Sequence, residues 1–431
     1  MQLIKNPPES EWPSLQKRPE IDVTTLFDTV QSVLDIVRRE GDEAVRYYGT
    51  LFDKVEIDDF AVKPEEIREA ESVLTEDLKC AIQLAHSNIE KFHAAQAMPE
   101  LKVETMPGVI CWQKAVAIEK VGLYIPGGTA PLFSTVLMLA IPARIAGCSE
   151  IILCTPPNRA GKVHPAILYS AHVAGVDKIF KVGGIQAIAS MSYGTESIPK
   201  VYKLFGPGNQ YVTAAKQIVS LKDVAIDMPA GPSEVAIMAD ELANPVFIAS
   251  DFLSQAEHGA DSQSILLTDS EKLAEDVMAE IERQLSGLSR RELTGKSLEN
   301  SRIIILRTKE EIIRFTNQYA PEHLIIHTSD YREIKDEIRN AGSVFLGAYT
   351  PESAGDYASG TNHTLPTKGY AKMYSGVNLD SFVKKITFQE ITPEGLQTLG
   401  PAIEIMAENE QLDAHKKAVT VRLKELENKI K

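Results

Sequence analysis

The sequence contains no run of eighteen or more apolar residues, so a membrane-spanning helix is not expected. Cysteine is scarce. The four in 431 residues, Cys80, Cys111, Cys148 and Cys154, are scattered without a Cys-x-x-Cys pair. Neither a disulfide framework nor a thiolate metal site is expected from them, and any metal must be held by His, Asp, Glu or Gln. Basic charge is also short. The formal net charge of −15 argues against a nucleic-acid partner, whose affinity would rest on clustered Lys and Arg. An anionic cofactor is not excluded, because local donors hold one on an acidic protein. The first twenty residues, MQLIKNPPESEWPSLQKRPE, lack an apolar core and a small-residue cleavage site. No secretory signal is expected there, and the cytoplasm is the default compartment.

The apolar fraction of 44% and charged fraction of 24% are those of an ordinary globular chain, and the length suggests two to four structural units. The first hundred residues read as helical: Thr75 can cap a helix in which Leu78, Ile82, Ala85, Ile89 and Phe92 form one stripe. From Val116 onward, short apolar runs alternate with helical segments. Strands are expected at Val116 to Ile125, Ile151 to Cys154, Lys178 to Val182, Val201 to Phe205 and Val224 to Ile226. A second series is expected at Glu234 to Met238, Ser264 to Thr268, Arg302 to Leu306, His323 to Ile326 and Ser343 to Leu346. Such alternation means parallel sheets covered on both faces, here in two similar α/β halves. Past Lys368 the strand pattern fades into a mostly helical tail.

Three strand ends carry glycine turns: Gly127-Gly128 in YIPGGTAPLFST, Gly183-Gly184 before Gln186, and Gly206-Pro-Gly208 before Asn209. Each alone is a tight turn. Together they would gather at the carboxyl edge of one sheet, where open α/β folds bind ligands. A rigid or cis Pro-Ala-Gly-Pro-Ser turn, Pro229 to Ser233, joins the halves and can offer the Ser233 hydroxyl across a cleft. Gln255 and His258, three apart, share a helical face and can ligate one ion, while Glu257 points elsewhere. Glu322-His323 opens a strand as a carboxylate–imidazole pair suited to acid/base work. The stretch Glu352 to His363 packs Asp356, Asn362 and His363 into a segment that does nothing for a core, and Glu410 and His415 lie in the helical tail.

These segments resemble the histidinol dehydrogenase family, in the same order and over most of Val121 to Leu423. The matching runs include VGLYIPGGTAPLFSTVLMLAIPARIAGC, SDFLSQAEHGADSQ, NQYAPEHLII and AGSVFLGAYTPESAGDYASGTNHTLPT. The resemblance implies two incomplete Rossmann-like parallel-sheet domains with helical additions at both termini. It implies one Zn2+ per subunit on Gln255, His258, Asp356 and His415, the last donated by the partner of a homodimer. Glu322 and His323 become the acid/base residues. Substrate contacts carry over to Ser233, Gln255, His258, His323, Asp356, His363, Glu410 and His415, and NAD contacts to Tyr124, Gln186 and Asn209. The domains expected are an extension at 1–20, a first α/β domain at 21–110 plus 234–368, an NAD domain at 111–233, and a segment at 369–431 packing on the partner.

The implied reaction is the four-electron oxidation of L-histidinol to L-histidine through a bound aldehyde, the last step of histidine biosynthesis, reducing two NAD. His323 would take the proton in both oxidations and Glu322 would activate the water that hydrates the aldehyde. The nearest rival is a dehydrogenase of the same fold acting on another small alcohol, such as a sulfonated diol. A zinc hydrolase with structural glycine turns and a non-catalytic metal-binding scaffold are the more distant ones.

Overall fold

The computed structural model describes residues 1–19, 23–127, 130–229 and 231–430. The chain divides into two compact units, residues 1–96 with 118–382, and residues 97–117 with 383–431.

The first unit holds two parallel sheets. One has five strands, in the spatial order Lys178–Phe180, Glu150–Cys154, Lys120–Tyr124, Lys203–Phe205 and Ala225–Ile226. The other has six: Gln2–Lys5, Arg302–Ile305, Gln263–Thr268, Glu234–Ala239, His323–His327 and Ser343–Leu346. Counted along the chain from Lys120 and from Glu234, both halves have the order 3-2-1-4-5. That is the dinucleotide-binding order without its sixth strand. The two incomplete Rossmann-like halves expected from the sequence are therefore present.

Both faces of each sheet are buried, as the near-continuous apolar strands require. Val121, Leu123 and Leu153 pack on one side of the five-stranded sheet, and Tyr124, Ile152 and Cys154 on the other. In the six-stranded sheet Val235 and Ile237 face one core while Ala236 and Met238 face the opposite one. Successive residues of a strand point to opposite faces, so an all-apolar strand demands a helical layer on each side.

Several expectations need correction. The helices Phe27–Glu40, Asp42–Tyr48 and Glu76–Ala94 were expected beside residues 234–368. They supply instead the layers over the five-stranded sheet: Val30, Leu34 and Val45 share a core with Ile152 and Phe180, and Ile82 and Ile89 one with Leu123. Apolar stripes announce a helix without naming the sheet it covers. Thr75 does cap its helix, accepting from Leu78 N at 3.3 Å, but Phe92 is exposed and His93 is buried in its place. Residues 2–5 form a strand, parallel to Arg302–Ile305, where a helical extension was expected. Four residues are too few for a period to be read. The run Val116 to Ile125 is two strands, Val109–Ala117 and Lys120–Tyr124, in different units.

In the second unit, Leu101–Met106, Val109–Ala117 and Val383–Ile391 form an antiparallel sheet with Val109–Ala117 in the middle. Trp112 and Phe388 stack across it with centroids 5.2 Å apart. The Val383–Ile391 strand falls in the tail expected to be mostly helical. Almost every residue in it is exposed, so it carries no in–out alternation to read. Two helices follow, Pro393–Asn409 and Asp413–Ile430, and Gly400 lets Val419 and Leu423 approach its backbone.

Candidate active site

Corresponding strands of the two halves end in different surroundings. At the carboxyl edge of the five-stranded sheet, Phe205 leads into Gly206 with φ of 121°, and a β-carbon there would collide with the Tyr124 carbonyl. Only glycine fits that approach. The turn is tied down on its far side. Gly206 N donates to Asp227 Oδ2 at 2.8 Å, and the buried Lys216 Nζ donates to Gly206 O and Asp227 Oδ1 at 2.7 and 2.6 Å. Asn209 then caps the Gln210–Ser220 helix, its Oδ1 accepting from Tyr211 N and Val212 N. The other two expected cofactor residues lie nearby in the fold. Tyr124 Oη accepts from Gly184 N at 3.1 Å, and burial pushes its phenol up to about 12. Gln186 Nε2 donates to Asp53 Oδ2 at 3.0 Å, and burial raises that carboxyl to about 6. Tyr124 and Gln186 are buried and Asn209 is exposed. Gly128, in the first glycine turn, lies outside the described residues, as does Ala230 in the turn joining the halves. No cis peptide occurs among the described residues.

A cleft of about 510 Å³ runs from this edge to the amino edge of the six-stranded sheet, lined by Pro126, Pro207, Asn209, Ser233, His258 and Lys368. Gln255 lies near the end of the Pro245–Ala256 helix, and His258 follows just beyond it, exposed. The Gln255 amide is fully buried, and neither its nitrogen nor its oxygen has a hydrogen-bond partner.

His323 opens its strand and is nearly fully buried. Its Nδ1 lies 3.5 Å from Glu322 Oε2 and 3.7 Å from Glu352 Oε1, and its Nε2 lies 3.5 Å from Asp356 Oδ1. Burial alone would push this imidazole down. The surrounding Glu352, Glu322 and Asp356 outweigh burial and hold it well above the ordinary histidine range. Burial drives Glu352 strongly upward, against the pull of His323. Burial also opposes ionisation of Asp356, but His323, His363 and His258 keep its carboxyl below the usual value. His363 bridges two elements, its Nδ1 2.8 Å from Asp356 O and its Nε2 3.0 Å from Thr135 Oγ1.

The first unit therefore brings together His258, Glu322, His323, Asp356 and His363, with Gln255 on the adjoining helix and Ser233 in the cleft. Glu410, the cap of the Pro393–Asn409 helix, and His415, in the first turn of Asp413–Ile430, are exposed on the second unit. Glu352 is what sequence reasoning missed. One atom each from His258, Glu352 and Asp356 lie within 4.8 Å of one another, a spacing that would hold a metal ion. It stood in the polar run singled out from the sequence, but its burial, with both oxygens unpaired, is visible only in the fold.

The family model described as histidinol dehydrogenase matches residues 16–423. A histidinol dehydrogenase of Bacteroides fragilis is 66% identical over 426 residues, covering 99% of this chain and 100% of its own. The chloroplastic histidinol dehydrogenase of Arabidopsis thaliana is 52% identical over 423 residues, covering 97% and 90%. The crystal structure of histidinol dehydrogenase from Elizabethkingia anophelis superposes with a TM-score of 0.97 at 55% identity, over 99% of each chain. With the paired parallel sheets and the His–carboxylate cluster between them, these likenesses place the chain in the histidinol dehydrogenase family.

Proposed function

We propose that the chain oxidises L-histidinol to L-histidine in two NAD-linked steps at a single zinc-dependent site. As a family member it is an oxidoreductase of histidine biosynthesis. The observation that carries the proposal is the burial of His323 among three carboxylates, two of which share a metal-capable cluster with His258.

Unpaired buried atoms support the metal. Gln255 has both amide atoms without hydrogen-bond partners, and Glu352 both carboxylate oxygens. Such atoms are costly unless something else satisfies them, and the oxygen and nitrogen donor set suits zinc. Gln255, His258 and Asp356 would hold the ion, with His415 of a partner subunit completing it. When bound, zinc supplies a template for the substrate's nitrogens and NAD supplies the hydride acceptor.

The chain's own residues manage protons and water. In its neutral form His323 accepts the hydroxyl proton of the alcohol at Nε2, which is buried and without a hydrogen-bond partner. Glu322 orients and deprotonates the water that adds to the aldehyde. His323 gives its first proton to the aldehyde oxygen as the water adds, and is then free to accept the proton of the hydrate. Ser233 and His363 hold the substrate, joined by Glu410 of a partner subunit. Tyr124, Gln186 and Asn209 edge the cofactor groove, where the Gln186 amide oxygen has no hydrogen-bond partner of its own. Exposed Ile405, Met406 and Val421, on the helices flanking Glu410 and bearing His415, support a homodimer that covers them. No helix among the described residues is long and apolar enough to cross a membrane, which is consistent with a cytoplasmic setting.

The test is NADH formed per L-histidinol consumed, before and after chelation. Two equivalents, abolished by chelation and restored by zinc, are expected. One equivalent, or none with histidinol but activity on a different alcohol, would overturn the substrate assignment.

A further inference from the structure

The acid/base couple is held from behind by a residue whose side chain never faces it. Glu234 opens the strand next to His323 and is 2% exposed. Its N–H donates to Glu322 Oε2 at 2.9 Å, and its carbonyl lies 3.4 Å from His323 Nδ1. One residue's two peptide groups thus meet both members of the couple. A carbonyl can only accept, so this contact places the proton on Nδ1 and leaves Nε2 as the basic nitrogen.

The Glu234 side chain points the other way and is itself gripped. Arg18 Nε and Nη2 take its two carboxylate oxygens, the second at 2.9 Å. Arg18 Nη2 also donates to Tyr319 O at 2.7 Å, and the guanidinium lies 3.9 Å from the centre of the Tyr319 ring. Tyr319 Oη in turn donates to Gln263 Oε1 at 2.8 Å, and Gln263 pairs in register with Glu234. The starts of adjacent strands are thereby locked to the N-terminal arm. A planar two-point grip is something a guanidinium gives and an ammonium does not. Buried ion pairs are weak sources of stability and are often replaceable by apolar residues without loss. What this pair supplies is placement.

We propose that Arg18 and Glu234 are positioning residues that fix the peptide groups orienting Glu322 and His323. The proposal rests on the reading of those two as the acid/base residues. Neither Arg18 nor Glu234 touches substrate or cofactor in this role; both act through the couple.

The experiment uses the full-length, zinc-loaded protein, and wild-type turnover of L-histidinol to two NADH is recorded first. Absence of that turnover would remove the functional reading itself. Arg18→Met, Glu234→Gln and the apolar double variant Arg18→Met/Glu234→Leu are then compared, with Arg18→Lys as the conservative change. A displacement of catalytic groups by a fraction of an ångström to one ångström costs up to about 10²-fold in rate. Arg18→Met and Glu234→Gln should lower kcat by about 10- to 100-fold, with KM for L-histidinol within about threefold and bound zinc unchanged. The double variant should be slowed to about the level of the worse single variant and no further, and Arg18→Lys should fall between wild type and Arg18→Met. The pH profile of kcat should also move, as a merely structural pair would not require. Zinc-loaded variants with wild-type kcat and pH profile would overturn the proposal. If the single variants fail to fold, the decision passes to the double variant and Arg18→Lys; wild-type kcat in either one, folded and zinc-loaded, overturns it.

Discussion

The two α/β halves share the strand order 3-2-1-4-5, yet they present opposite edges to the cleft. The five-stranded half offers its carboxyl edge, with glycine turns that let the backbone come close to a ligand. The six-stranded half offers its amino edge, where Ser233, Glu234, Glu322 and His323 stand at strand starts. A carboxyl edge is built from loops, which suit a ligand held by its backbone contacts. An amino edge places side chains on a rigid sheet, which suits groups that must hold a proton within a few tenths of an ångström. Under the proposed function, two copies of one topology serve two uses by choice of edge.

That contrast can be broken most decisively at His323. Replacing it with Asn should lower kcat by about 10²–10⁴ at saturating substrate. Near-normal turnover would take the amino edge out of the chemistry. His258→Asn should weaken zinc retention by about tenfold or more, read as bound metal after dialysis against a buffered zinc standard. Full metal content would strike it from the ligand set. At the carboxyl edge, Gly206→Ala forces a β-carbon into the Tyr124 carbonyl at positive φ. It should cost about 1–3 kcal/mol in urea unfolding and raise KM for NAD more than KM for histidinol. A loss confined to histidinol binding would reverse the assignment of edges.

Two further measurements sharpen the comparison. Burial pushes Asp251, one turn before Gln255, up to about 7. Its folded value therefore lies above the unfolded value of about 4, so its contribution to stability is present below pH 4 and is lost as pH rises to about 7. Asp251→Asn should gain on the wild type in melting temperature between pH 5 and pH 8 in zinc-free protein. An unchanged difference across that range would mean the carboxyl is not protonated in the fold. The smallest effect is expected at the unused carboxyl edge of the six-stranded sheet. There Lys309 pairs with Asp330 at 2.6 Å, and both side chains are partly exposed. Lys309→Met should leave kcat unchanged and stability within about 0.5 kcal/mol. A large loss of activity would show that both edges of that half are used.

Much of this was legible from residues alone. Apolar strand runs announced both parallel sheets, and the Thr75 cap fixed a helix start. The polar strip from Glu352 to His363 stood out because a core has no use for it. The illegible parts share a cause. Strand Val383–Ile391 is exposed on both faces, so no alternation marks it. The helices before residue 97 carry apolar stripes that fit a sheet without saying which one. Glu352, Glu234 and Arg18 look like ordinary charged residues until burial and partners are known. Sequence reports a side chain's chemistry; its accessibility is a property of distant neighbours.

The strand at residues 2–5 has a consequence for how the molecule is made. Its sheet partner, Arg302–Ile305, leaves the ribosome almost 300 residues later, about 15–60 s at ordinary synthesis rates. Over that interval the five-stranded half can gather nearly all of its core from residues 23–228, lacking only late arrivals such as Val377 and Phe382, the latter stacking on Phe205 at 4.1 Å. Residues 2–5 are thus made long before they find their place, and the Arg18 grip on Glu234 closes with them. Timed protease challenge of nascent chains should show the five-stranded half protected while residues 2–5 are still open to cleavage; simultaneous protection would refute that order.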